Sequence, residues 1–142
     1  MEPETRIAIE SDADVVTARQ RARELAADLE LSSTDQTLLA TAISEVARNI
    51  THYAKRGEVL LRVIRDENGR SGIEVVASDE GPGIEDIERA LQDGYTTGGG
   101  LGLGLPGARR LVDEFRIQSA PSVGTTVTLV MWARNAGRSV RA

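Results

Sequence analysis

The sequence predicts an α+β sandwich in which helices cover one face of a sheet built largely from antiparallel strands. Three observations carry this reading. Strand-like and helix-like hydrophobic periodicities succeed one another in the order βααββααββ. An Asn68-Gly69 pair joins two strand-like runs, the strongest short-range hairpin signal. No repeat, linker or composition break divides the 142 residues, a length that suits one core.

The elements follow from their patterns. Thr5 to Glu10 alternates, with Ile7 and Ile9 on one face, and reads as an opening strand. Ser11 or Asp12 caps a helix in which Val15, Ala18, Ala22, Leu25, Ala26 and Leu29 recur at helical spacing up to Leu31-Ser32. A second helix starts at Ser33-Thr34-Asp35, carries Leu38, Leu39, Ala42, Ile43, Val46, Ala47 and Ile50, and ends towards Gly57. Its apolar character predicts burial. Val59 to Arg65 and Gly72 to Ser78 form the hairpin around Asp66-Glu67-Asn68-Gly69. After Gly81-Pro82-Gly83 come a short helix over Glu85 to Leu91 and a further helix from Leu105 to Phe115. Two strands, Arg116 to Ala120 and Thr125 to Trp132, close the chain around a turn at Pro121 to Gly124, with Trp132 expected in or near the core. The domain is thus expected over residues 1–132, with a frayed tail from Ala133 that holds Arg134, Arg138 and Arg141.

Composition excludes several function classes. With 17 Lys and Arg against 22 Asp and Glu, the net charge of −5 argues against a general nucleic-acid or anionic-membrane binder. There are no cysteines, which excludes disulfide scaffolds, thiolate metal sites and cysteine nucleophiles. The single histidine, His52, excludes a histidine-rich metal site and reads as a surface residue at a helix end. No apolar run approaches a membrane span, and the acidic start lacks a basic segment before an apolar one. The expected location is the cytoplasm.

Four local patterns carry chemistry. Thr41, Glu45 and Asn49 are spaced i, i+4, i+8, a polar stripe on an apolar helix. Such a stripe serves as a solvated helix edge, or as a carboxylate for proton transfer one turn from a carboxamide that can ligate Mg²⁺. On the strand from Gly72, alternation puts Asp79 on the same face as Ile73, Val75 and Ala77, where an aspartate needs a partner. Asp79-Glu80-Gly81-Pro82-Gly83 reads equally as a strand-ending turn or as a fixed acceptor beside two glycines, suited to a planar amino-bearing base such as adenine. Seven of the 14 glycines fall between Gly94 and Gly107. There Gly98-Gly99-Gly100 leads into alternating leucine and glycine up to Leu105, directly before a helix, which favours a phosphate cradle over a flexible linker. It is no Walker A loop, because the only lysine, Lys55, lies far upstream. Gly124-Thr125-Thr126 is a good strand start that also brings a threonine hydroxyl towards the base. Arg109-Arg110 reads as a solvated helix face.

In this order, Glu45-x-x-x-Asn49, Asp79-x-Gly81-x-Gly83, Gly100-x-Gly102-x-Gly104 and Gly124-Thr125 resemble the N, G1, G2 and G3 boxes of the GHKL ATPases. Within that superfamily the chain most resembles the RsbT-type switch protein serine kinases. The likeness runs through Ala18-Arg19, Thr41-Ala42-Ile43-Ser44-Glu45, Arg48-Asn49-Ile50 and the segment from Gly94-Tyr95-Thr96-Thr97 to Leu111. It implies a Bergerat ATP-binding fold, a two-layer sandwich with a mixed, mostly antiparallel sheet and a lid over Gly94 to Gly104.

The resemblance also implies roles. Asp79 would bind the adenine amino group, Gly81 and Gly83 would line the base, and Thr125 would complete that site. Asn49 would hold Mg²⁺, and Gly98, Gly100, Gly102, Leu103 and Gly104 would wrap the phosphates of ATP. Glu45 would be the general base for an acceptor serine or threonine. Family knowledge implies that this acceptor lies on a STAS-domain protein of a stressosome-like complex, and that the released kinase activates a PP2C-type phosphatase. Two other readings stay open: an anti-sigma factor kinase of the RsbW or SpoIIAB type, and an adaptor that binds ATP without transferring phosphate. A sensor histidine kinase is not expected, since there is no room for a phospho-accepting helix pair.

Overall fold

In a computed structural model, residues 4–54, 56–83 and 104–134 are described. The chain runs β1 (Glu4–Ile9), α1 (Asp12–Asp28), α2 (Ser33–Asn49), a π-helical turn (Ile50–Ala54), β2 (Gly57–Arg65), β3 (Ser71–Asp79), α3 (Gly104–Leu111), β4 (Glu114–Ala120) and β5 (Gly124–Trp132). The helix expected over Glu85 to Leu91 and most of the Gly94 to Gly104 lid lie outside the described residues.

The strands form one sheet of five in the order β1-β2-β3-β5-β4. Every described pairing is antiparallel, so the mixed element anticipated for the sheet does not occur among these strands. The reason is the connectivity: β2–β3 and β4–β5 are hairpins, and the long connection after β3 brings β5 rather than β4 beside it.

Alternation divides the sheet into two faces. The inner face carries Ile7, Ile9, Val59, Leu61, Ile73, Val75, Val127, Leu129 and Met131, all buried. Against it pack Leu39, Ile43 and Val46 of α2 and Ile50 of the π-helical turn, with Leu105 and Ala108 of α3 in the same core. Each fully buried Leu or Ile contributes ~1.5–3 kcal/mol relative to exposure. Along α1 the buried positions are Val15, Ala18, Ala22 and Ala26. The small alanines, one turn apart, let α1 approach α2 closely.

The helix boundaries show how local chemistry acts. α2 has a true side-chain cap: Ser32 Oγ accepts from Asp35 N–H at 3.0 Å. α1 begins after Ser11 without such a cap, and Asp14 Oδ2 instead accepts from Glu10 N–H at 2.9 Å. The chain leaves α1 through Glu30 at φ 64, a left-handed residue that reverses its direction towards Leu31. The hairpin between β2 and β3 forms as expected but not as a two-residue Asn-Gly turn. Asp66 Oδ1 accepts from the N–H groups of Asn68 and Arg70, and Gly69 alone takes a positive φ, of 84. These bonds, Arg70's first, hold the Asp66 carboxyl below its usual range.

Three expectations need correction. Phe115 does not end a helix: α3 stops at Leu111, and Phe115 pairs with Leu129 as part of β4. Asp113 N–H bonds to Val130 O at 2.9 Å, so the chain is already committed to the sheet there. Trp132 lies on the outer face. Its ring sits over Gly72, where a Cβ would come within 2.6 Å of it, while Nε1–H donates to Glu114 and Arg70 stacks 5.0 Å from the ring centroid. The first residues assigned to the tail are tied down: Ala133 N–H donates to Ser71 O at 2.8 Å, and Arg134 donates to Asp113 at 2.6 Å and to Asp35 at 3.1 Å. Arg134 thereby joins the end of β5 to the first turn of α2, and gives the buried Asp35 a charged partner.

Around the apolar Leu60, Val76 and Val130, the outer face also carries paired charges. Arg62 bonds Glu74 at 2.6 Å and Glu4 at 3.2 Å, and Arg6 bonds Glu58 at 2.6 Å. Exposed pairs of this kind contribute about 0–1 kcal/mol each and chiefly keep this face in water. Among the described residues, no helix is long and apolar enough to cross a membrane.

Candidate functional site

One row of register partners crosses the sheet at the end nearest the C-terminus of α2: Ile9, Gly57, Asp79, Thr125 and Ser119. Their side chains share the inner face, so Asp79 and Thr125 stand beside each other on neighbouring strands. Glycine at position 57 keeps the row open to the helix above it. A Cβ there would overlap the Ser78 carbonyl and come to 3.0 Å from both Ile50 Cγ2 and Asp79 Cβ.

Asp79 is fixed by its own turn. Its Oδ1 accepts from Gly81 N–H at 2.8 Å, and Oδ2 takes no hydrogen bond among the described residues. The carboxylate therefore presents one committed oxygen and one available acceptor. Gly81 lies against the π-helical turn, where an added Cβ would meet Ala54 Cβ at 2.5 Å. Gly83 has φ +77, and a Cβ on it would overlap the Ala120 carbonyl; Ser122 N–H donates to Pro82 O at 2.7 Å. A Cβ on Gly124, at φ +131, would overlap the Asp79 carbonyl. Backbone approach at these glycines, more than loop flexibility, is what the Asp79-x-Gly81-x-Gly83 and Gly124-Thr125 spacings encode.

Thr125 is 5% exposed and its hydroxyl lies 2.8 Å from Ser119 Oγ. Ser119 Oγ in turn donates to Gly124 O at 3.0 Å. Ser119, Ile50, Ala54 and Gly57 belong to this end of the sheet and were not singled out from the sequence. Ile50 and Ala54 carried only a generic apolar signal, and Ser119 showed itself only once the β4–β5 register was known.

The second half of the site is on α2. Glu45 is buried, with 9% exposure, although its neighbours at Thr41 and Asn49 are half-buried. Its Oε1 accepts from Gly104 N–H at 3.0 Å, and its Oε2 pairs with Arg48 at 3.4 Å. Gly104, at φ +67, is the first residue of α3, so the carboxylate sits at the positive end of that helix. Asn49, one turn beyond Glu45, has a carboxamide that makes no hydrogen bond among the described residues. Gly98, Gly100, Gly102 and Leu103 lie outside the described residues. Arg109 and Arg110 are exposed on α3, and exposed His52 meets Tyr53 edge-on at 5.2 Å.

This donor set suits a nucleotide with a hard cation. Asp79 Oδ2 matches an exocyclic amino group. At the start of α3 the Gly104 N–H is held by Glu45 and Pro106 has none, which leaves the N–H groups of Leu105 and Gly107 to match phosphate oxygens. No group of three or more His, Cys, Asp or Glu residues able to hold a metal occurs among the described residues. A single carboxamide fits Mg²⁺ shared with phosphates better than an all-protein cage.

Comparison with known proteins identifies the family. The family model described as "Histidine kinase-like ATPase domain" matches residues 9–131. The chain is 42% identical over 134 residues to the serine/threonine-protein kinase RsbT of Bacillus subtilis, covering 94% of this chain and 100% of that one. It is 30% identical over 118 residues to an anti-sigma F factor of Caldanaerobacter subterraneus, covering 81% and 82% of the two chains. Among solved structures, the RsbU and RsbW domains of a Mycobacterium tuberculosis protein superpose with a TM-score of 0.62 at 24% identity, over 94% of this chain and 34% of that one. That likeness concerns the fold. The chain therefore belongs to the histidine kinase-like ATPase family, whose α+β fold it shares, and within it to the relatives of the RsbT serine/threonine kinase.

Proposed function

We propose that the chain is an ATP-dependent serine/threonine protein kinase and partner switch, acting in the cytoplasm on a STAS-domain protein of a stressosome-like complex. The observation that carries the reading is the buried Glu45 carboxylate, held at the start of α3 one turn from Asn49. A general base and a magnesium ligand require that juxtaposition. The full-length match to a protein named as a serine/threonine kinase supports it.

In this reading Asp79 and Thr125 hold the adenine through its amino group, and Gly81 and Gly83 line the ring. Asn49 holds Mg²⁺ through its side-chain oxygen, and Gly98, Gly100, Gly102, Leu103 and Gly104 surround the phosphates. Bound Mg·ATP supplies the γ-phosphoryl group and neutralises charge on its oxygens. Glu45 would accept the proton of the acceptor hydroxyl as that oxygen bonds the γ-phosphorus and the bond from that phosphorus to the bridging β-phosphate oxygen breaks, with ADP leaving. Once phosphorylated, the STAS partner carries about two additional negative charges, which favours release from an acidic kinase. The freed kinase then engages a PP2C-type phosphatase.

The test is to incubate the purified chain with γ-labelled ATP, Mg²⁺ and STAS-domain proteins from the same genome, and to score acid-stable phosphate on serine or threonine. Transfer to one of them, lost in Asn49→Ala, is the expected result. ATP binding with no transfer to any of them would overturn the kinase reading. The anti-sigma F factor relatives favour one second reading, in which the chain sequesters a sigma factor. Stable capture of a purified sigma factor, with phosphorylation of an anti-anti-sigma protein, would move the assignment there.

A further inference from the structure

The π-helical turn Ile50–Ala54 continues α2 without a break, since Ile50 keeps helical backbone angles. Turns of this kind are rare and gather at functional sites. Here the turn runs from Asn49 towards the strands that carry the other half of the site, and it meets them at two glycines. Ile50 packs over Gly57, the register partner of Asp79 on β2. Ala54 packs on Gly81, so closely that a Cβ on Gly81 would come to 2.5 Å from Ala54 Cβ and 2.8 Å from its Cα. Gly81 is also the residue whose N–H holds Asp79 Oδ1 at 2.8 Å. A continuous path of contact thus joins Asn49, through Ala54 and Gly81, to the Asp79 carboxylate, with the smallest side chains at the point where the turn and the strand end touch.

We infer that Ala54 is a positioning residue: as the spacer between the end of α2 and Gly81, it sets where the Asp79 carboxylate stands relative to Glu45 and Asn49. A larger side chain at position 54 has to displace either the turn or the Gly81 peptide. Ile50, 2% exposed and seated on Gly57, anchors the turn at its other end, whereas Gly81 is only half-buried. The displacement therefore falls on Gly81, and the Asp79 carboxylate follows through its hydrogen bond at Oδ1. The charge of Asp79 is untouched, so what changes is the place of its second oxygen, Oδ2. This inference rests on the adenine reading of Asp79 given above and adds to it the device that holds the carboxylate in place.

The experiment is calorimetric titration with Mg·ATP and with Mg·ITP, the 6-oxo analogue, on the wild type, Ala54→Val, Asp79→Asn and the double variant, with melting temperatures recorded alongside. The amino group of ATP can donate to the Asp79 carboxylate and the 6-oxo group of ITP cannot. The ratio of the two affinities therefore reads the placement of that carboxylate rather than the general integrity of the fold. In Ala54→Val the ATP-to-ITP ratio is expected to fall by about tenfold, part of the worth of a hydrogen bond to a charged group. In the double variant ATP affinity is expected to be no weaker than in Asp79→Asn alone, because both changes act through one acceptor. Ala54→Ser, a smaller enlargement, should lower the ratio in the same direction and covers the case in which the valine variant fails to fold. An unchanged ratio in the Ala54 variants, or losses that multiply in the double variant, would reduce Ala54 to a packing role and overturn the inference while Asp79→Asn still weakens ATP. An Asp79→Asn variant that binds ATP as the wild type does would overturn the adenine reading itself.

Discussion

Glu45→Gln is expected to slow phosphoryl transfer by ~10²–10⁴-fold, the usual worth of a positioned general base, while leaving ATP affinity nearly unchanged. The substitution is chosen from the contacts. The carboxamide oxygen of glutamine can still accept from Gly104 N–H, which Oε1 does now at 3.0 Å, so the start of α3 keeps its anchor. What is lost is the basic oxygen at Oε2 and its pairing with Arg48. Arg48 is 49% exposed and the contact is 3.4 Å long, so that pair is worth little in stability. Single-turnover transfer at saturating ATP, with ATP affinity measured in parallel, separates the effects. Transfer within a few-fold of wild type would remove Glu45 from the chemistry, and a parallel collapse of ATP binding would make it a structural residue.

Asp79→Asn should act on the other half of the site, with the opposite signature. Gly81 N–H holds Oδ1 at 2.8 Å, so an amide placed there keeps its oxygen on Gly81 and turns its NH₂ towards the ligand. A charge-assisted acceptor is replaced by a donor facing a donor. ATP affinity is expected to drop by about 1.5–3 kcal/mol, or ~10–150-fold, and ITP should gain relative to ATP. Transfer measured at saturating ATP should be far less affected than in Glu45→Gln. An unchanged ATP dissociation constant by calorimetry would contradict the assignment of Asp79 to the base.

What was legible in the sequence was what local periodicity and turn chemistry encode. The Thr41-Glu45-Asn49 stripe followed from the helical period, and the inward direction of Asp79 from strand alternation. The hairpin around Asp66 followed from Asn68-Gly69, although the turn is built on the Asp66 carboxylate, a choice that dipeptide signals do not resolve. Long-range facts were not legible. That β5 rather than β4 lies beside β3 depends on the sheet as a whole, and with it comes the row that puts Ser119 next to Thr125. Phe115 fitted a helical period yet joins β4, because its pairing with Leu129 outweighs its local pattern. Arg134 looked like part of a charged tail, since its partner Asp35 is 99 residues away.

The central claim is that one nucleotide lies between the Asp79–Thr125 end of the sheet and the start of α3, with Glu45 and Asn49 at its phosphates. A crystal structure with Mg²⁺ and a non-hydrolysable ATP analogue tests it most directly. The expected result is an adenine amino nitrogen about 2.7–3.2 Å from Asp79 Oδ2 and Thr125 Oγ1, phosphates beside the first N–H groups of α3, and Mg²⁺ on the Asn49 side-chain oxygen. A base bound away from Asp79, or a cation held by groups other than Asn49 and the phosphates, would contradict it.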